Sequence, residues 1–346
     1  MGALLLVARG AVGWNGRTDF HHFGANERAF AAVNDDSRIA CWGQSDQGVS
    51  DCPSGTGYAS VYASSRAMSA IKTDGSVEAW GLSGYGGTGA PSGTGFEAIY
   101  SSDAGFIARK GDGSLACWGQ NCEGTPSDSG YGAPVALTYY QGKAAIKSGA
   151  ITCWGHTSYG GTGCPSGSTF VSVYSNDGAF VAVTSDGALS GWGDTYNGGS
   201  TAPSDTGYVS VVATRHAFAA MKGDGSLSCW GSSDHGGDGC PTDSGYVAVF
   251  SSTYAFTARK ADGTLTCWGD QWYGGNGPDY AGTVGEQPCG GGTSGWRSVY
   301  AISDTFAAIN DDGRLIAWGG TGRTGVPTGN NFVKVYTTQW ALLAER

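Results

Sequence analysis

Charged residues are scarce in this sequence, and no run of basic residues occurs in it. Only 14% of the 346 residues are Asp, Glu, Lys or Arg. The balance is acidic, with 19 Lys and Arg against 29 Asp and Glu, which gives a formal charge of −10 at pH 7. Because a negatively charged chain repels a phosphate backbone, we expect no nucleic-acid partner.

Long hydrophobic runs are also missing. The longest apolar stretch, residues 3–8, is far shorter than the roughly 18 to 20 residues that a membrane-spanning helix needs. It also lacks the basic front and the polar cleavage region of a signal peptide. We therefore expect a soluble chain without a membrane span.

Motifs of common catalytic and metal sites are absent as well. The sequence contains no His-Glu-x-x-His, no Gly-x-x-x-x-Gly-Lys-Ser/Thr and no Cys-x-x-Cys, and its five His residues are scattered. Nothing singles out two of the 29 acidic residues as a pair for glycoside hydrolysis. The sequence therefore predicts a protein that is not an enzyme, with no catalytic residue, no cofactor and no metal site.

Glycine and aromatic residues, by contrast, are abundant. The chain has 62 Gly, 12 Trp, 17 Tyr and 12 Phe. This amount of aromatic surface can fill a core, whereas a glycine-rich linker stays solvated. The composition therefore predicts a folded chain that is dense in turns.

The dipeptide Trp-Gly recurs at a nearly fixed spacing. Most intervals between successive copies are 38 residues, with one of 36 and one of 50. A fixed period of this length indicates a repeat architecture. The Trp residues of these dipeptides are Trp42, Trp80, Trp118, Trp154, Trp192, Trp230, Trp268 and Trp318.

Each repeat has the pattern of three short strands. In the repeat that contains Trp230, the first strand begins at Tyr208, the second begins at Ala217, and the third ends in Trp-Gly. An Asp-Gly pair between the second and third strands supplies the positive φ angles of a two-residue hairpin. A loop with Gly-Gly and then Pro ends the sheet.

One such sheet is too small to bury both of its faces alone, so neighbouring repeats must stack, as propeller blades or solenoid coils do. We predict an all-β chain that forms a β-propeller of about eight to nine short blades. The Trp of each repeat is predicted to fill the space between blades together with an aromatic residue of the second strand. Those aromatic residues are Phe106, Phe180, Phe218, Phe256 and Phe306.

The repeat resembles that of the regulator-of-chromosome-condensation superfamily of β-propellers. The resemblance rests on the segment Ala217-Phe-Ala-Ala-Met-Lys-Gly-Asp-Gly-Ser-Leu-Ser-Cys-Trp-Gly with the following Gly236-Gly237 and Pro241, and it covers almost the whole chain. The short repeat is similar to those of the propeller β-lactamase inhibitory protein and of repeat-rich hypothetical proteins of marine algae. The resemblance implies a propeller whose loops bind another protein, and it does not identify the partner.

We predict a single repeat domain over residues 1–346. Residues 1–16 match a second and a third strand, and residues 332–346 match a first and a second strand. Together they are predicted to form one split blade that closes the ring and removes two exposed sheet edges. An open repeat array and a fragment of a longer chain are the alternatives, because Trp14 adds a ninth candidate blade.

The ten cysteines fall into five pairs, each with one Cys before Trp-Gly and one in the following loop. Three other repeats lack both members, and a disulfide within each repeat explains this loss in pairs. Five disulfides imply an oxidising compartment, either extracellular or an organelle lumen. The predicted disulfides join Cys41 to Cys52, Cys117 to Cys122, Cys153 to Cys164, Cys229 to Cys240 and Cys267 to Cys289.

Repeats are free to differ where their loops meet a partner, so variable loop positions mark a candidate interface. The loops between first and second strands give Arg66, Asp103, Asp177, His216, Tyr254 and Trp340 as candidates. The loops after Trp-Gly form a second variable set with Tyr85, Tyr159, Tyr196, His235, Trp272 and Tyr273. From this second set we select Trp272 and Tyr273, together with Tyr280.

Tyr280 lies in an insertion at residues 270–295, which lengthens one interval to 50 residues. Cys267 and Cys289 are predicted to fix the base of this insertion. We expect the insertion to contact a partner. The alternative is an insertion without a binding role, which is tolerated because it costs little loop-closure entropy.

The sequence as a whole favours a non-enzymatic protein-binding and scaffolding propeller whose partner is another protein. The alternatives are a lectin-like module with a glycan partner, an enzyme inhibitor, and a lumenal accessory subunit of an algal photosynthetic complex. A varied set of loops on a repeated scaffold suits each of these functions.

Overall fold

The computed structural model describes residues 20–26, 28–45, 50–136, 142–275, 288–289, 294–301, 303–320, 326–327, 329–337 and 342–346. The chain divides into two compact units, Met1–Val173 and Tyr174–Arg346. Regular structure in the described residues consists of β-strands and short 3₁₀ turns. No helix in this part of the chain is long and apolar enough to cross a membrane.

The described residues form eight three-stranded sheets and one two-stranded sheet, which we number as repeats one to nine in chain order. The strands of repeats one to four are β1 (Phe20–Ala25), β2 (Ala29–Asn34), β3 (Ile39–Gly43), β4 (Tyr58–Ala63), β5 (Ala67–Lys72), β6 (Val77–Gly81), β7 (Phe96–Ser102), β8 (Gly105–Lys110), β9 (Leu115–Gly119), β10 (Val135–Ala136), β11 (Gly142–Lys147) and β12 (Ala150–Gly155). The strands of repeats five to nine are β13 (Phe170–Ser175), β14 (Ala179–Thr184), β15 (Leu189–Gly193), β16 (Tyr208–Ala213), β17 (Ala217–Lys222), β18 (Leu227–Gly231), β19 (Tyr246–Ser251), β20 (Ala255–Lys260), β21 (Leu265–Gly269), β22 (Trp296–Ala301), β23 (Thr305–Asn310), β24 (Leu315–Gly319), β25 (Lys334–Thr337) and β26 (Leu342–Glu345).

The central strand of a repeat is buried on both faces. Because side chains alternate along a strand, Phe218 and Ala220 of β17 pack against repeat five, while Ala217 and Ala219 pack against repeat seven. This double burial explains why the second strands are almost continuously apolar. One small antiparallel sheet per repeat, packed against neighbouring sheets within a unit, confirms the predicted all-β, propeller-type fold class.

The turns between second and third strands are wider than predicted. In repeat two the Gly75 N–H donates to the Lys72 carbonyl (2.8 Å) and the Lys72 N–H donates to the Ser76 carbonyl (2.9 Å). Gly75 has a φ of 77°, and Asp74 instead accepts from the Ser76 N–H (2.9 Å). The hydrogen bonds therefore close a three-residue loop with one left-handed glycine, and the expected two-residue hairpin is wrong here.

Repeat four has the two-residue hairpin that the other turns lack. Lys147 pairs with Ala150 directly across the turn. Ser148 and Gly149 both adopt positive φ angles, 50° and 81°. Two consecutive left-handed residues are what a tight hairpin requires.

The Trp of a repeat fills the space between neighbouring sheets, as predicted. Trp230 is only 4% exposed and stacks on Phe218 with ring centroids 5.4 Å apart. The same stack joins Phe106 to Trp118, Phe180 to Trp192, Phe256 to Trp268, and Phe306 to Trp318. Trp42 departs from this pattern, because it stacks on Phe30 yet is 42% exposed.

The Gly-Gly loop lets neighbouring sheets approach closely. A Cβ atom on Gly236 would lie 2.6 Å from the Phe256 ring of the next repeat, and Gly236 has a φ of 92°. The Trp268 indole N–H donates to the Gly236 carbonyl (3.2 Å). Glycine is therefore required at this position by the packing of the next repeat as well as by the turn.

All five predicted disulfides are present. Each joins two cysteines of one repeat, with Cα atoms 5.5 to 6.0 Å apart. In repeat five, a Cβ on Gly191 would contact the Ala202 Cβ at 3.4 Å, so the repeats without cysteines keep the same loop path. The repeats without cysteines thus lack only the disulfide.

The end of the chain forms the two-stranded sheet of β25 and β26. The Val333 N–H donates to the Glu345 carbonyl (2.9 Å) and continues this pairing. Residues 1–16, the predicted partner of this sheet in a split blade, lie outside the described residues. The split blade, ring closure and the single domain over 1–346 therefore stay predictions.

Candidate functional site

The turns between first and second strands are joined from one repeat to the next by backbone hydrogen bonds. In the second unit the Asp177 N–H donates to the Arg215 carbonyl (3.1 Å), and the Arg215 N–H donates to the Thr253 carbonyl (2.9 Å). The Thr253 N–H then donates to the Ser303 carbonyl (2.8 Å). Side chains on these turns are therefore displayed from a rigid framework.

The loops after Trp-Gly lie at the same end of the sheets as these turns. Ser233–His235 and Gln271–Tyr273 are 3₁₀ turns that follow β18 and β21. The Thr214 hydroxyl donates to the His235 carbonyl (3.1 Å), and the Ser252 hydroxyl donates to the Tyr273 carbonyl (2.8 Å). The two variable loop sets, which the sequence presents as separate, thus meet in one place.

Five rings from repeats five, six and seven form what we call the aromatic turn surface. Its centre is Tyr254, whose ring centroid lies 4.3 Å from that of His235, 4.5 Å from Tyr273 and 5.5 Å from His216. Tyr196 extends the cluster, 5.6 Å from His216. Tyr196 is 56% exposed, and the other four rings are partly exposed.

Hydrogen bonds fix the two histidine rings. His216 Nδ1 donates to Asn197 Oδ1 (2.7 Å), and His235 Nδ1 lies 2.8 Å from the Ser232 hydroxyl. Partial burial lowers the pKa of both histidines below the usual 6.5, and the proximity of His235 lowers the pKa of His216 further. Both rings are therefore neutral at pH 7.

An ion pair borders the cluster. Arg215 Nε donates to Asp177 Oδ2 (2.5 Å), and the Asp177 side chain is almost fully buried. The Arg215 guanidinium also lies over the Tyr254 ring, 5.9 Å from its centroid. Asp177 therefore positions Arg215 against the aromatic turn surface.

Further carboxylates act on the same rings. Asp270 accepts from the Trp272 N–H (2.7 Å) at the start of its 3₁₀ turn. The negative charges that act on the histidines and on Tyr273 include those of Asp194, Asp234, Asp270 and Asp304. Asp194, Asp234 and Asp270 thus lie in the same loops as Tyr196, His235 and Tyr273.

The structure brings several of the predicted interface residues together. Asp177, His216, Tyr254 and Tyr273 belong to the aromatic turn surface or its border, and Trp272 beside it is 49% exposed. Tyr280 and Trp340 lie outside the described residues. Arg66 and Asp103 belong to the first unit, where Arg66 lies over Tyr85 (5.2 Å) and the Asp103 carbonyl accepts from the Ser65 N–H (2.9 Å).

Lys143 is a buried charged residue that the sequence analysis missed. It pairs with Trp154 in repeat four, at the position that Phe218 occupies opposite Trp230. Lys143 is 0% exposed, and its Nζ donates to the carbonyls of Gln120 (3.3 Å) and Asn121 (2.9 Å).

Burial lowers the pKa of Lys143 to about 8. The signal in the sequence was the missing Phe in the second strand. It accompanies a shortened preceding loop, in which Cys122 lies only 5 positions after Cys117, whereas the paired cysteines of three other repeats lie 11 positions apart. The buried ammonium group supplies donors to a loop that has lost its 3₁₀ turn.

The described residues hold no group of three or more His, Cys, Asp or Glu side chains that could bind a metal ion. The aromatic turn surface presents ring faces, hydroxyl groups, an arginine and carboxylates. Contacts of these kinds are common in the energetically important centres of protein interfaces.

No family model matches the chain, and no curated protein matches it. The ectodomain of the Physcomitrella patens receptor kinase CR4 is similar in structure, with 16% identity, a TM-score of 0.45, and coverage of 73% of this chain and 74% of that one. The CRINKLY WD40 ectodomain of the Arabidopsis thaliana receptor kinase ACR4 has 14% identity, a TM-score of 0.40, and coverage of 89% and 97%.

Prp20p of Saccharomyces cerevisiae, a yeast RCC1 protein, has 14% identity, a TM-score of 0.36, and coverage of 87% of this chain and 72% of that one. RCC1-type propellers are thus among the structures to which this chain is similar. At this identity and score the similarity carries no function over to this chain.

Proposed function

We propose that this protein is a non-enzymatic protein-binding and scaffolding propeller. The observation that supports this function is the aromatic turn surface, five rings held by a framework of turn-to-turn hydrogen bonds. Tyr, Trp and Arg side chains supply much of the binding energy at protein interfaces. A rigid framework also reduces the entropy that is lost on binding.

Packing of the repeats does not require these rings. His216 and Tyr254 occupy the position just before the second strand, where repeat three has Ala104 and repeat five has Gly178. Those repeats form the same three-stranded sheet without a ring at this position. The rings of repeats six and seven are therefore best explained by a partner.

The cross-links support the proposed compartment. Disulfides persist in oxidising environments, and this chain has five of them. We place the protein outside the cell or in an organelle lumen. An enzyme inhibitor and a lumenal accessory subunit are special cases of this binding function, and the identity of the partner decides between them.

Capture of the native partner tests the proposal. The wild type, the double variant Tyr254→Ala/Tyr273→Ala and the control Val209→Ala, which alters an exposed side chain of β16, are compared by affinity capture. We expect to find a partner that binds the wild type and the control but does not bind the double variant. The same partner should capture the protein in the reciprocal experiment. Equal capture by all three would contradict a role of this surface, and glycan-array binding without protein capture would identify a lectin.

A further inference from the structure

We infer that the aromatic turn surface recognises a cationic protein segment, one that presents Arg or Lys side chains to the rings. This inference rests on the proposed function and specifies the chemistry of the partner. It follows from the charges around the rings, from the protonation state of the rings, and from the contrast with the opposite end of the same sheets.

Negative charges outnumber positive charges among the described residues around the rings. Asp234 lies in the same 3₁₀ turn as His235, and Asp270 accepts from the Trp272 N–H at the start of the turn that contains Tyr273. Asp194 accepts from the side-chain amide of Asn197, which in turn binds His216. Among the described residues, the cation beside these rings is Arg215, which is paired with the buried carboxylate of Asp177. This ion pair is neutral as a whole, so the carboxylates of Asp194, Asp234 and Asp270 give the described part of this surface a negative charge.

The rings themselves favour a cation. Tyr and Trp present negative faces to a cation held within about 6 Å of the ring centroid, and neutral imidazole adds no opposing charge. Tyr196 and Trp272, at 56% and 49% exposure, hold equivalent positions in the loops after repeats five and seven. An Arg or Lys side chain that enters between these loops meets ring faces and carboxylates together.

The opposite end of the same sheets provides cations of its own. There Lys222 pairs with Asp205, and Lys260 pairs with Asp243 (2.5 Å). Each lysine also lies over a tyrosine ring, with Lys260 5.0 Å from the Tyr246 centroid. At that end each of the two tyrosines has a lysine of the chain over its ring. At the aromatic turn surface Arg215 lies over Tyr254 and pairs with Asp177, and we infer that the partner supplies cations to the exposed rings of Tyr196 and Trp272.

Binding of short synthetic peptides tests the inference. The probes are labelled peptides of alternating Gly with Arg, with citrulline or with Glu, and fluorescence anisotropy is measured at low and at high salt. Citrulline keeps the shape of Arg without its charge. We expect the Arg peptide to bind at least tenfold more tightly than the citrulline peptide at low salt, with binding weakened at high salt.

Two double variants with the same change in net charge locate the effect. Asp234→Asn/Asp270→Asn removes carboxylates at the rings, and Asn at position 270 preserves the acceptor for the Trp272 N–H. Asp205→Asn/Asp243→Asn removes carboxylates at the opposite end. We expect the first variant to lose at least tenfold in affinity for the Arg peptide and the second to stay within about twofold of the wild type.

Three results would overturn the inference: equal binding of the Arg and citrulline peptides, equal losses in the two double variants, or preferred binding of the Glu peptide. The inference fails alone if Tyr254→Ala/Tyr273→Ala loses the native partner while Asp234→Asn/Asp270→Asn retains it. The proposed function fails as well if neither variant affects capture of the native partner.

Discussion

The ring of Tyr254 packs against the ring of His235, with centroids 4.3 Å apart, although the two residues belong to different repeats. His235 follows the third strand of repeat six, and Tyr254 precedes the second strand of repeat seven. The contact forms only because adjacent sheets stack with their loops in register. The candidate binding surface is thus a product of the packing between repeats.

Acidification is expected to weaken binding of the Arg peptide. The pKa values of His216 and His235 are lowered, so both rings are neutral at pH 7 and gain charge at a lower pH than an exposed histidine does. Protonation places two positive charges beside Arg215, where they repel a cationic partner, while the carboxylates stay ionised down to about pH 5. The charged groups that face the two histidines are Asp177, Asp194, Asp234, Asp270 and Arg215.

The measurement is peptide affinity between about pH 7 and about pH 5 for the wild type and for His216→Gln/His235→Gln. The double variant should lose this pH dependence. The free energy of unfolding should also fall on acidification, because the unfolded chain binds more protons than the native state once the pH falls below the unfolded histidine pKa of about 6.5. Constant affinity of the wild type over this range would contradict the prediction.

Trp230→Ala is expected to destabilise the protein by about 3 to 5 kcal/mol, because it opens a cavity between two repeats. Trp42→Ala is the matched control, since Trp42 holds the same repeat position but is 42% exposed against 4% for Trp230. The loss of unfolding free energy in Trp42→Ala should be clearly smaller. Denaturant unfolding measures both values, and equal losses would contradict the packing role of the buried Trp.

A sixth disulfide is expected to form in repeat two of the variant Ala79→Cys/Ala90→Cys. Both alanines pack against the same core cluster and are 11 residues apart, like Cys41 and Cys52. Closing a loop of this length should stabilise the protein by about 2 to 3 kcal/mol. Intact mass shows the loss of two hydrogens, and a variant that keeps two free thiols would contradict the equivalence of the repeats.

Lys143→Met is expected to destabilise the protein by about 1 to 3 kcal/mol, because it removes the donor from the partly buried hydrogen bonds to the carbonyls of Gln120 and Asn121. Lys147→Met is the control, since Lys147 is partly exposed and pairs with Asp128 at the surface. Thermal unfolding compares the two. A Met variant at position 143 with wild-type stability would show that the buried charge costs as much as its hydrogen bonds contribute.

The insertion in repeat seven is expected to contribute to partner capture. The described parts confirm that the disulfide between Cys267 and Cys289 closes its base. Shortening the insertion to the 38-residue pattern, with both cysteines retained, should leave folding intact, because loop length changes closure entropy little. Capture of the native partner should weaken at least tenfold, and unchanged capture would make the insertion a passive loop.

The sequence alone determined the repeat, its three strands, the role of Trp230 and the pairing of all ten cysteines. These properties follow from local pattern: a fixed period, alternating burial, and cysteines lost in pairs. The width of the Asp-Gly turn was not predictable, because Asp74 reaches the Ser76 N–H only once the strands are paired. The buried position of Lys143 likewise depends on a loop from the preceding repeat.

Only the tertiary structure decided which variable residues act together. Tyr196, His216, His235, Tyr254 and Tyr273 are spread over 78 positions of the sequence, yet their rings form one cluster. The sequence indicates that each loop is variable, but stacking of the sheets sets which loops face each other. Residues 38 apart become neighbours because each repeat buries its faces against the next, and this packing converts scattered loop residues into a surface.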